Sequence, residues 1–88
     1  MKIFKVEIDT KAAREIRGLP RTEQEKVVRK AGALAENPRP PGSVKLGGKS
    51  GLWRIRAGDY RIIYEIRDAQ VVVIIVKVGH RREVYRGM

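Results

Sequence analysis

Apolar and polar residues alternate along two neighbouring stretches of this chain, Leu52–Ala57 and Tyr60–Arg67. A period of two residues is typical of β-strands, in which successive side chains point to opposite faces of a sheet. The intervening pair Gly58-Asp59 suits the two-residue turn of a β-hairpin. The pattern therefore predicts a hairpin whose register is set by this turn.

The register of this hairpin predicts where its charged side chains lie. Arg56 comes opposite Arg61, and Arg54, two residues earlier, shares their face of the sheet. Like charges directly opposite one another destabilise a strand pair. An arginine pair in this position therefore indicates a surface that binds an anion. The opposite face receives the large apolar and aromatic members of the hairpin, which are Trp53, Ile55, Ile62 and Tyr64, with Tyr60 beside them in the predicted core.

Two helices are predicted between a first strand and the hairpin. Asp9 or Thr10 can cap the first helix, whose apolar residues recur at helical spacing. The second helix begins either at Pro20, which suits a first helical turn, or at Thr22, which has capping-box spacing to an acidic residue. The predicted bounds are 2–8 for the strand, about 10–18 for the first helix, and 20 or 22 to 37 for the second.

The second half of the chain contributes mainly strands. Residues 38–51 are rich in proline and glycine and predict a loop with at most a short strand at 44–46. Residues 70–78 form an almost unbroken run of valine and isoleucine, which predicts a central strand covered on both faces and ended by Gly79. The order β-α-α-β-β-β predicts a single α+β domain over residues 1–88, with a helical hairpin packed on an antiparallel meander sheet.

The net charge of the chain indicates which class of molecule it binds. The chain has 20 Lys and Arg against 10 Asp and Glu, a formal charge of +10, which favours a polyanion such as nucleic acid or an acidic protein. Residues 1–44 carry ten basic and six acidic side chains, whereas residues 45–88 carry ten and four. We therefore expect the functional surface in the second half.

The composition also indicates the cellular compartment in which the protein is expected. The chain has no cysteine, which excludes disulfides and cysteine metal sites and is compatible with a reducing cytoplasm. Its N-terminus is too charged for a signal peptide, and its longest apolar run, residues 71–76, is far shorter than a membrane span. We expect a cytoplasmic protein with no membrane partner.

Arginine and tyrosine together suit single-stranded RNA. The planar guanidinium matches a phosphate bidentately, and a tyrosine ring can stack on a base. The hairpin, the preceding loop and the C-terminal tail all supply such groups. The candidates are Arg54, Arg56 and Arg61 in the hairpin, Lys45 and Lys49 before it, and Arg81, Arg82, Tyr85 and Arg86 in the tail.

Four segments resemble one known family when their order and spacing are taken together. The segments are Val44-Lys-Leu46, Leu52-Trp-Arg-Ile-Arg56, Gly58-Asp-Tyr-Arg-Ile-Ile-Tyr64 and Val78-Gly-His-Arg-Arg-Glu-Val-Tyr85. They resemble the RelE/ParE superfamily of bacterial and archaeal toxins over nearly the whole chain. The family fold is a helical hairpin on an antiparallel sheet, which agrees with the pattern above.

The resemblance to RelE-type members implies an mRNA interferase of a type II toxin-antitoxin system. Such a toxin cuts mRNA in the A site of the 70S ribosome, with the RNA 2′-hydroxyl as nucleophile and without a metal or a small-molecule cofactor. It is neutralised by a cognate antitoxin protein. By position, the resemblance implies that Arg54 and Arg56 act as a base or as stabilisers of charge, and that Arg61 clamps the transition state. It further implies that Arg81 stabilises the leaving group and that the ring of Tyr85 stacks on an RNA base. Contacts with RNA are further expected from Lys45, Lys49, His80 and Arg82.

Departures from the family pattern keep other functions open. The best-studied RelE members have lysines where this chain has Arg54 and Arg56, and arginine stays protonated, so an electrostatic role is expected for both. His80, the single histidine, is either a proton-transfer group or a solvated turn residue. The alternative functions are a ParE-like, non-enzymatic poison of DNA gyrase and an inactive module that binds RNA or the ribosome.

Overall fold

A five-stranded mixed sheet with both helices packed on one face forms the described part of the chain, residues 3–47 and 51–84, in the computed structural model. The predicted α+β class and element order are confirmed, and the short strand before the hairpin forms. The elements in chain order are β1 (Lys5–Ile8), α1 (Thr10–Arg17), α2 (Arg21–Ala33), β2 (Val44–Lys45), β3 (Leu52–Ala57), β4 (Tyr60–Arg67), a 3₁₀ turn (Asp68–Gln70) and β5 (Val72–His80).

The sheet has the strand order β1-β5-β4-β3-β2. Strands β2 to β5 pair antiparallel, which confirms the meander. Strand β1 lies beside β5 and runs parallel to it, so the sheet is mixed rather than purely antiparallel. A parallel pair needs a long crossover connection, and here the two helices and the rest of the meander lie between β1 and β5 in the sequence.

The predicted hairpin register is confirmed at every position of β3. Ala57 pairs with Tyr60 and Arg56 with Arg61 across a two-residue turn. Gly58 has a φ of +64°, and Asp59 is not among the residues with positive φ. This combination is typical of a type II′ turn, in which glycine takes the first central position.

The core lies between the helices and one face of the sheet. Both helices contribute a buried stripe, and the helix-facing residues of β3, β4 and β5 complete it. Tyr64 is fully buried there, as predicted, and Trp53 and Tyr60 pack at its margin. The buried members of the cluster are Phe4, Ala12, Ile16, Val27, Ala31, Leu34, Ile55, Ala57, Ile62, Tyr64, Val73, Ile75 and Val78.

The helix ends follow local capping chemistry. The side chain of Asp9 accepts a hydrogen bond from the Lys11 N–H at 2.8 Å, which confirms Asp9 as a cap. Pro20 is the N-cap of α2, so the helix begins one residue after it. The prediction that α2 reaches residue 37 is wrong. The chain tightens after Ala33 into a turn with i→i+3 hydrogen bonds, while Leu34 continues the buried stripe.

Strand β5 contains a β-bulge that the sequence did not indicate. Ile63 pairs with Lys77, but the next residue, Tyr64, pairs with Ile75, so Val76 is an additional residue on β5. The bulge reverses the side-chain alternation on its C-terminal side. The strand also continues through Gly79 to His80, two residues beyond its predicted end.

The coverage predicted for β5 holds on only one face. Val73 and Ile75 are fully buried under the helices. Val72 and Ile74, on the other face, are only partly buried. The predicted covering of both faces is therefore wrong, because both helices lie on the same side. Neither α1 nor α2 has the length and apolar character needed to cross a lipid bilayer.

The loop after α2 is fastened to the sheet by one buried hydrogen bond and one ion pair. The Tyr64 hydroxyl donates to the Pro38 carbonyl at 2.7 Å. Arg39 donates twice to the Asp68 carboxylate, at 3.2 and 2.8 Å, and its guanidinium lies 5.3 Å from the centre of the Trp53 ring. Burial raises the pKa of Tyr64 to about 12, and the hydrogen bond to Asp68 raises the pKa of Arg39.

Replacing Tyr64 with phenylalanine should lower the free energy of unfolding by about 1–2 kcal/mol, because the buried Pro38 carbonyl loses its donor. The raised pKa adds a pH dependence. The protonated phenol is favoured in the folded state, so its contribution is complete below the ordinary pKa of 10.0 and is lost as pH rises towards about 12. Urea unfolding at neutral and alkaline pH measures both effects. Tyr60→Phe, at the margin of the core, is the control. An equal decrease in the free energy of unfolding in the two variants would contradict the stabilising role of the Tyr64–Pro38 hydrogen bond.

Candidate functional site

Two rows of paired residues bring basic side chains together on the sheet face away from the helices. Arg56 pairs with Arg61, and Arg61 with Gly79. In the adjacent row, Ile63 lies between Arg54 on β3 and Lys77 on β5. Directly opposite Cβ atoms in such rows are about 4.5–5.5 Å apart. We call this surface the arginine face, and its basic members are Arg54, Arg56, Arg61 and Lys77.

Lys77 is the member that sequence reasoning missed. Simple alternation along β5 would place Lys77 on the helix side with Val73 and Ile75. The bulge at Val76 turns it to the arginine face, opposite Ile63. A lysine inside a run of valine and isoleucine was the available signal, because a buried unpaired charge is costly and the strand must turn it outwards.

Consecutive carbonyl groups of the hairpin turn anchor two arginines. The Nη1 of Arg61 donates to the carbonyl of Gly58 at 3.3 Å and to that of Tyr60 at 3.2 Å. The backbone N–H of Arg81 donates to the Asp59 carbonyl at 2.8 Å. The turn therefore fixes the Arg61 guanidinium and the backbone of Arg81 at the same end of the sheet.

The four residues after β5, which we call the tail turn (residues 81–84), fold back onto the arginine face. A Cβ added to Gly79, which shares the face of Arg61, would lie 3.4 Å from the Cα of Val84. Val84 is fully buried, and so is Ile63, although neither belongs to the core cluster on the helix side. The missing side chain at position 79 thus leaves the space that Val84 occupies.

Two of the expected RNA contacts lie on the helix side instead. Lys45 pairs with Trp53, so it shares the face of that side chain at the edge of the sheet. His80 pairs with Tyr60, and their rings meet edge to face with centroids 5.8 Å apart and an interplanar angle of 85°. Arg82 is exposed in the tail turn. Lys49, Tyr85 and Arg86 lie outside the described residues.

A cavity of about 410 Å³ opens where the arginine face meets the edge of β3. Arg54 and Arg56 border it from the sheet, and Lys30 borders it from α2. Apolar residues of α2, β2, β3 and the loop between α2 and β2 complete its wall. These are Ala33, Pro40, Pro41, Val44 and Ile55, with Gly42 among them. The cavity combines positive charge with apolar walls.

Exposed arginines of the arginine face and of the tail turn are not neutralised by ion pairs. Within residues 3–47 and 51–84, Arg56 of the arginine face and Arg81 and Arg82 of the tail turn make no ion pair. The ion pairs of the hairpin and the adjoining loop lie towards the other end of β4, where Arg67 contacts Glu65 and Arg39 contacts Asp68. In the same described ranges, no three histidine or acidic side chains group as metal ligands. The face therefore presents a concentrated positive potential to an anion.

Comparison with known proteins identifies the family. The model of the ParE toxin of the type II toxin-antitoxin system parDE matches residues 6–85. The chain belongs to the RelE/ParE superfamily of toxins. The resemblance drawn from the four sequence segments is thereby confirmed.

Relatives of this toxin cover almost its full length. It is 33% identical over 84 residues to Toxin RelG of Mycobacterium tuberculosis, across 94% of this chain and 97% of RelG. It is 34% identical over 84 residues to the mRNA interferase toxin RelE of Escherichia coli K12, across 91% and 87%.

Solved structures agree with the fold of the toxin. A chain of the M. tuberculosis toxin-antitoxin complex RelBE2 superposes with a TM-score of 0.79 at 32% identity, covering 90% of this chain and 99% of that one. A chain of the archaeal RelE–RelB complex from Pyrococcus horikoshii gives 0.81 at 26% identity, covering 93% and 99%.

Truncating Val84 to alanine should cost about 2 kcal/mol of unfolding free energy, because it removes two fully buried methyl groups from the arginine face. Chemical denaturation compared with Val44→Ala measures this cost. Val44 is 42% exposed, so its truncation should change stability little. An equally small effect at both positions would show that the tail turn is not packed on the sheet in solution.

Proposed function

We propose that this toxin is a ribosome-dependent endoribonuclease that cuts mRNA in the A site of the 70S ribosome. The observation that carries the proposal is the convergence of Arg54, Arg56 and Arg61 on one face, with the backbone of Arg81 anchored at the same hairpin turn. Similarity to the mRNA interferase toxin RelE over most of both chains supports it.

The reaction needs little besides fixed positive charge. The 2′-oxygen attacks the adjacent phosphorus, the bond to the 5′-oxygen breaks, and the products are a 2′,3′-cyclic phosphate and a 5′-hydroxyl end. The proton of the 2′-hydroxyl passes to solvent water, and a water molecule supplies the proton that the leaving 5′-oxygen takes up. Negative charge develops on the phosphorane oxygens, where preorganised cations stabilise it most. We assign no metal or other cofactor to this mechanism.

The proposed roles follow the positions of the side chains. Arg61 clamps the transition state, because its guanidinium is already held by two carbonyl groups of the turn. Arg81 stabilises the leaving oxygen. Arg54 and Arg56 stabilise charge and do not act as bases, since arginine stays protonated. Lys77 adds a further cation to the same face.

Residues outside this group retain the roles inferred from the family resemblance. We propose that Tyr85 stacks on a base and that Lys49 and Arg82 contact the RNA backbone. The ribosome supplies much of the in-line alignment of the 2′-oxygen, phosphorus and leaving oxygen. The isolated toxin should therefore be a poor nuclease on free RNA.

We further propose a cognate antitoxin as the protein partner and the cytoplasm as the site of action. The antitoxin neutralises the toxin by covering the positive face with a complementary surface. Complexes of RelE-type toxins with their antitoxins among the structural relatives support this.

A second candidate function is that of a ParE-like poison of DNA gyrase, which the description of the matching family model favours. The arginine set argues against it, because gyrase poisons of this fold generally lack the full set. The two functions leave different damage. A gyrase poison produces gyrase-dependent DNA breaks and leaves mRNA intact.

Arg61→Ala and Arg81→Ala should each lower cleavage of A-site mRNA about a hundredfold or more, since each removes a cation from the developing charge. Primer extension on a translating extract measures the rate. Arg21→Ala is the matched control, because this side chain is 93% exposed at the start of α2 and loses the same charge. Undiminished cutting by both site variants would refute the ribonuclease assignment.

Lys77→Ala should lower the same rate about tenfold, as expected for one supporting cation near the phosphate. Lys26→Ala on α2 removes an equal charge from the helix side and should leave the rate unchanged. If the two lysine variants behave alike, the bulge does not deliver Lys77 to the active face.

A further inference from the structure

The tail turn is closed by hydrogen bonds to a single residue of β5. The backbone N–H groups of Glu83 and Val84 both donate to the His80 carbonyl, at 2.8 and 2.9 Å. The N–H of Arg82 donates to Nδ1 of the His80 imidazole at 3.2 Å. Three successive amide groups of the tail turn therefore depend on His80, two on its backbone and one on its side chain.

The contact with Arg82 assigns Nδ1 of the imidazole as a hydrogen-bond acceptor. A backbone N–H is only a donor, so Nδ1 must accept, and the neutral ring carries its proton on Nε2. The edge-to-face contact with Tyr60 holds the orientation of the ring. His80 therefore works as a fixed hydrogen-bond acceptor on the helix side, away from the arginine face.

We propose that His80 is a positioning residue whose neutral imidazole closes the tail turn and so holds Arg81 beside Arg61, and whose protonation opens that closure. This inference rests on the proposed ribonuclease function and deepens it, because it makes cleavage sensitive to pH through a residue that does not touch RNA. An imidazolium has N–H donors at both nitrogens, so Nδ1 can no longer accept from Arg82. Imidazole side chains as a class titrate near neutral pH.

Residues with charged side chains from three elements line one cavity with His80. They are Arg14 and Glu15 of α1, Glu83 of the tail turn and Lys77 of β5, which borders the cavity although its side chain belongs to the arginine face; Tyr60 lies beside them. Glu15 accepts a hydrogen bond from the Val78 N–H at 2.9 Å. Both signs of charge are present, and the Arg82 N–H donates to Nδ1. Loss of that hydrogen bond on protonation is independent of the sign of the surrounding field.

Two variants of the full chain distinguish the role of Nδ1 as a hydrogen-bond acceptor from the role of the aromatic ring of His80. His80→Asn places an amide oxygen where Nδ1 lies and cannot titrate, whereas His80→Phe keeps a ring against Tyr60 and lacks an acceptor. The first readout is the hydrogen-exchange protection factor of the Arg82 amide in the free protein between pH 5.5 and 8. The second is the maximal cleavage rate and the half-saturating concentration of programmed ribosomes.

At pH 8, His80→Asn should retain the protection of the Arg82 amide, and His80→Phe should lower it about tenfold. The unsubstituted chain should lose protection as pH falls, and His80→Asn should not. His80→Phe should lower the maximal cleavage rate on the order of tenfold with the half-saturating concentration unchanged, as expected when only a catalytic group is misplaced.

Equal protection of Arg82 in His80→Phe and the unsubstituted chain would overturn the proposal, as would a His80→Asn variant as defective as His80→Phe. The two readouts also keep the proposals distinguishable. If the unsubstituted chain cuts no mRNA, the ribonuclease function fails, and the protection factors still decide whether the imidazole closes the tail turn.

Discussion

The cross-strand pairing of Arg56 with Arg61 is the constraint on which the rest of the site depends. Two like charges directly opposite one another are unfavourable, and a slip of the strands would separate them. A slip by one residue would also turn the core residue of the strand that moves, Ile55 of β3 or Ile62 of β4, towards solvent. Burial on the helix side therefore holds the repelling pair in place.

The hairpin could be predicted from the sequence because local and global signals agree there. Charged and apolar residues alternate over most of its length, and Gly58 supplies the positive φ that a two-residue turn requires. Strand β5 lacked such information. The apolar run up to Val76 fits either face, so the position of the bulge could not be derived from it, although the lysine at position 77 indicated that the strand turns that side chain outwards. The parallel pairing of β1 is a tertiary contact with no local signature.

The early end of α2 and the placement of His80 were missed for a related reason. Leu34 continues the apolar stripe although the helix has already tightened into a turn, so the pattern alone overestimates the helix. The parity of His80 depends on the same bulge as that of Lys77. One irregularity in one strand thus separates two basic residues, placing the lysine on the arginine face and the histidine on the helix side.

The candidate site combines residues from three parts of the chain, which are the hairpin, the end of β5 and the tail turn. The hairpin supplies the arginine pair, the end of β5 supplies a lysine and a glycine, and the tail turn supplies Arg81 and the buried Val84. The hairpin turn connects them, because it binds the Arg61 side chain and the Arg81 backbone through neighbouring carbonyl groups.

Mapping of RNA 5′ ends in cells after brief induction of the toxin tests the proposed ribonuclease function of this site most directly. We expect new 5′-hydroxyl ends within translated codons, which disappear when initiation is blocked; intact messages accompanied by gyrase-dependent DNA breaks would contradict it.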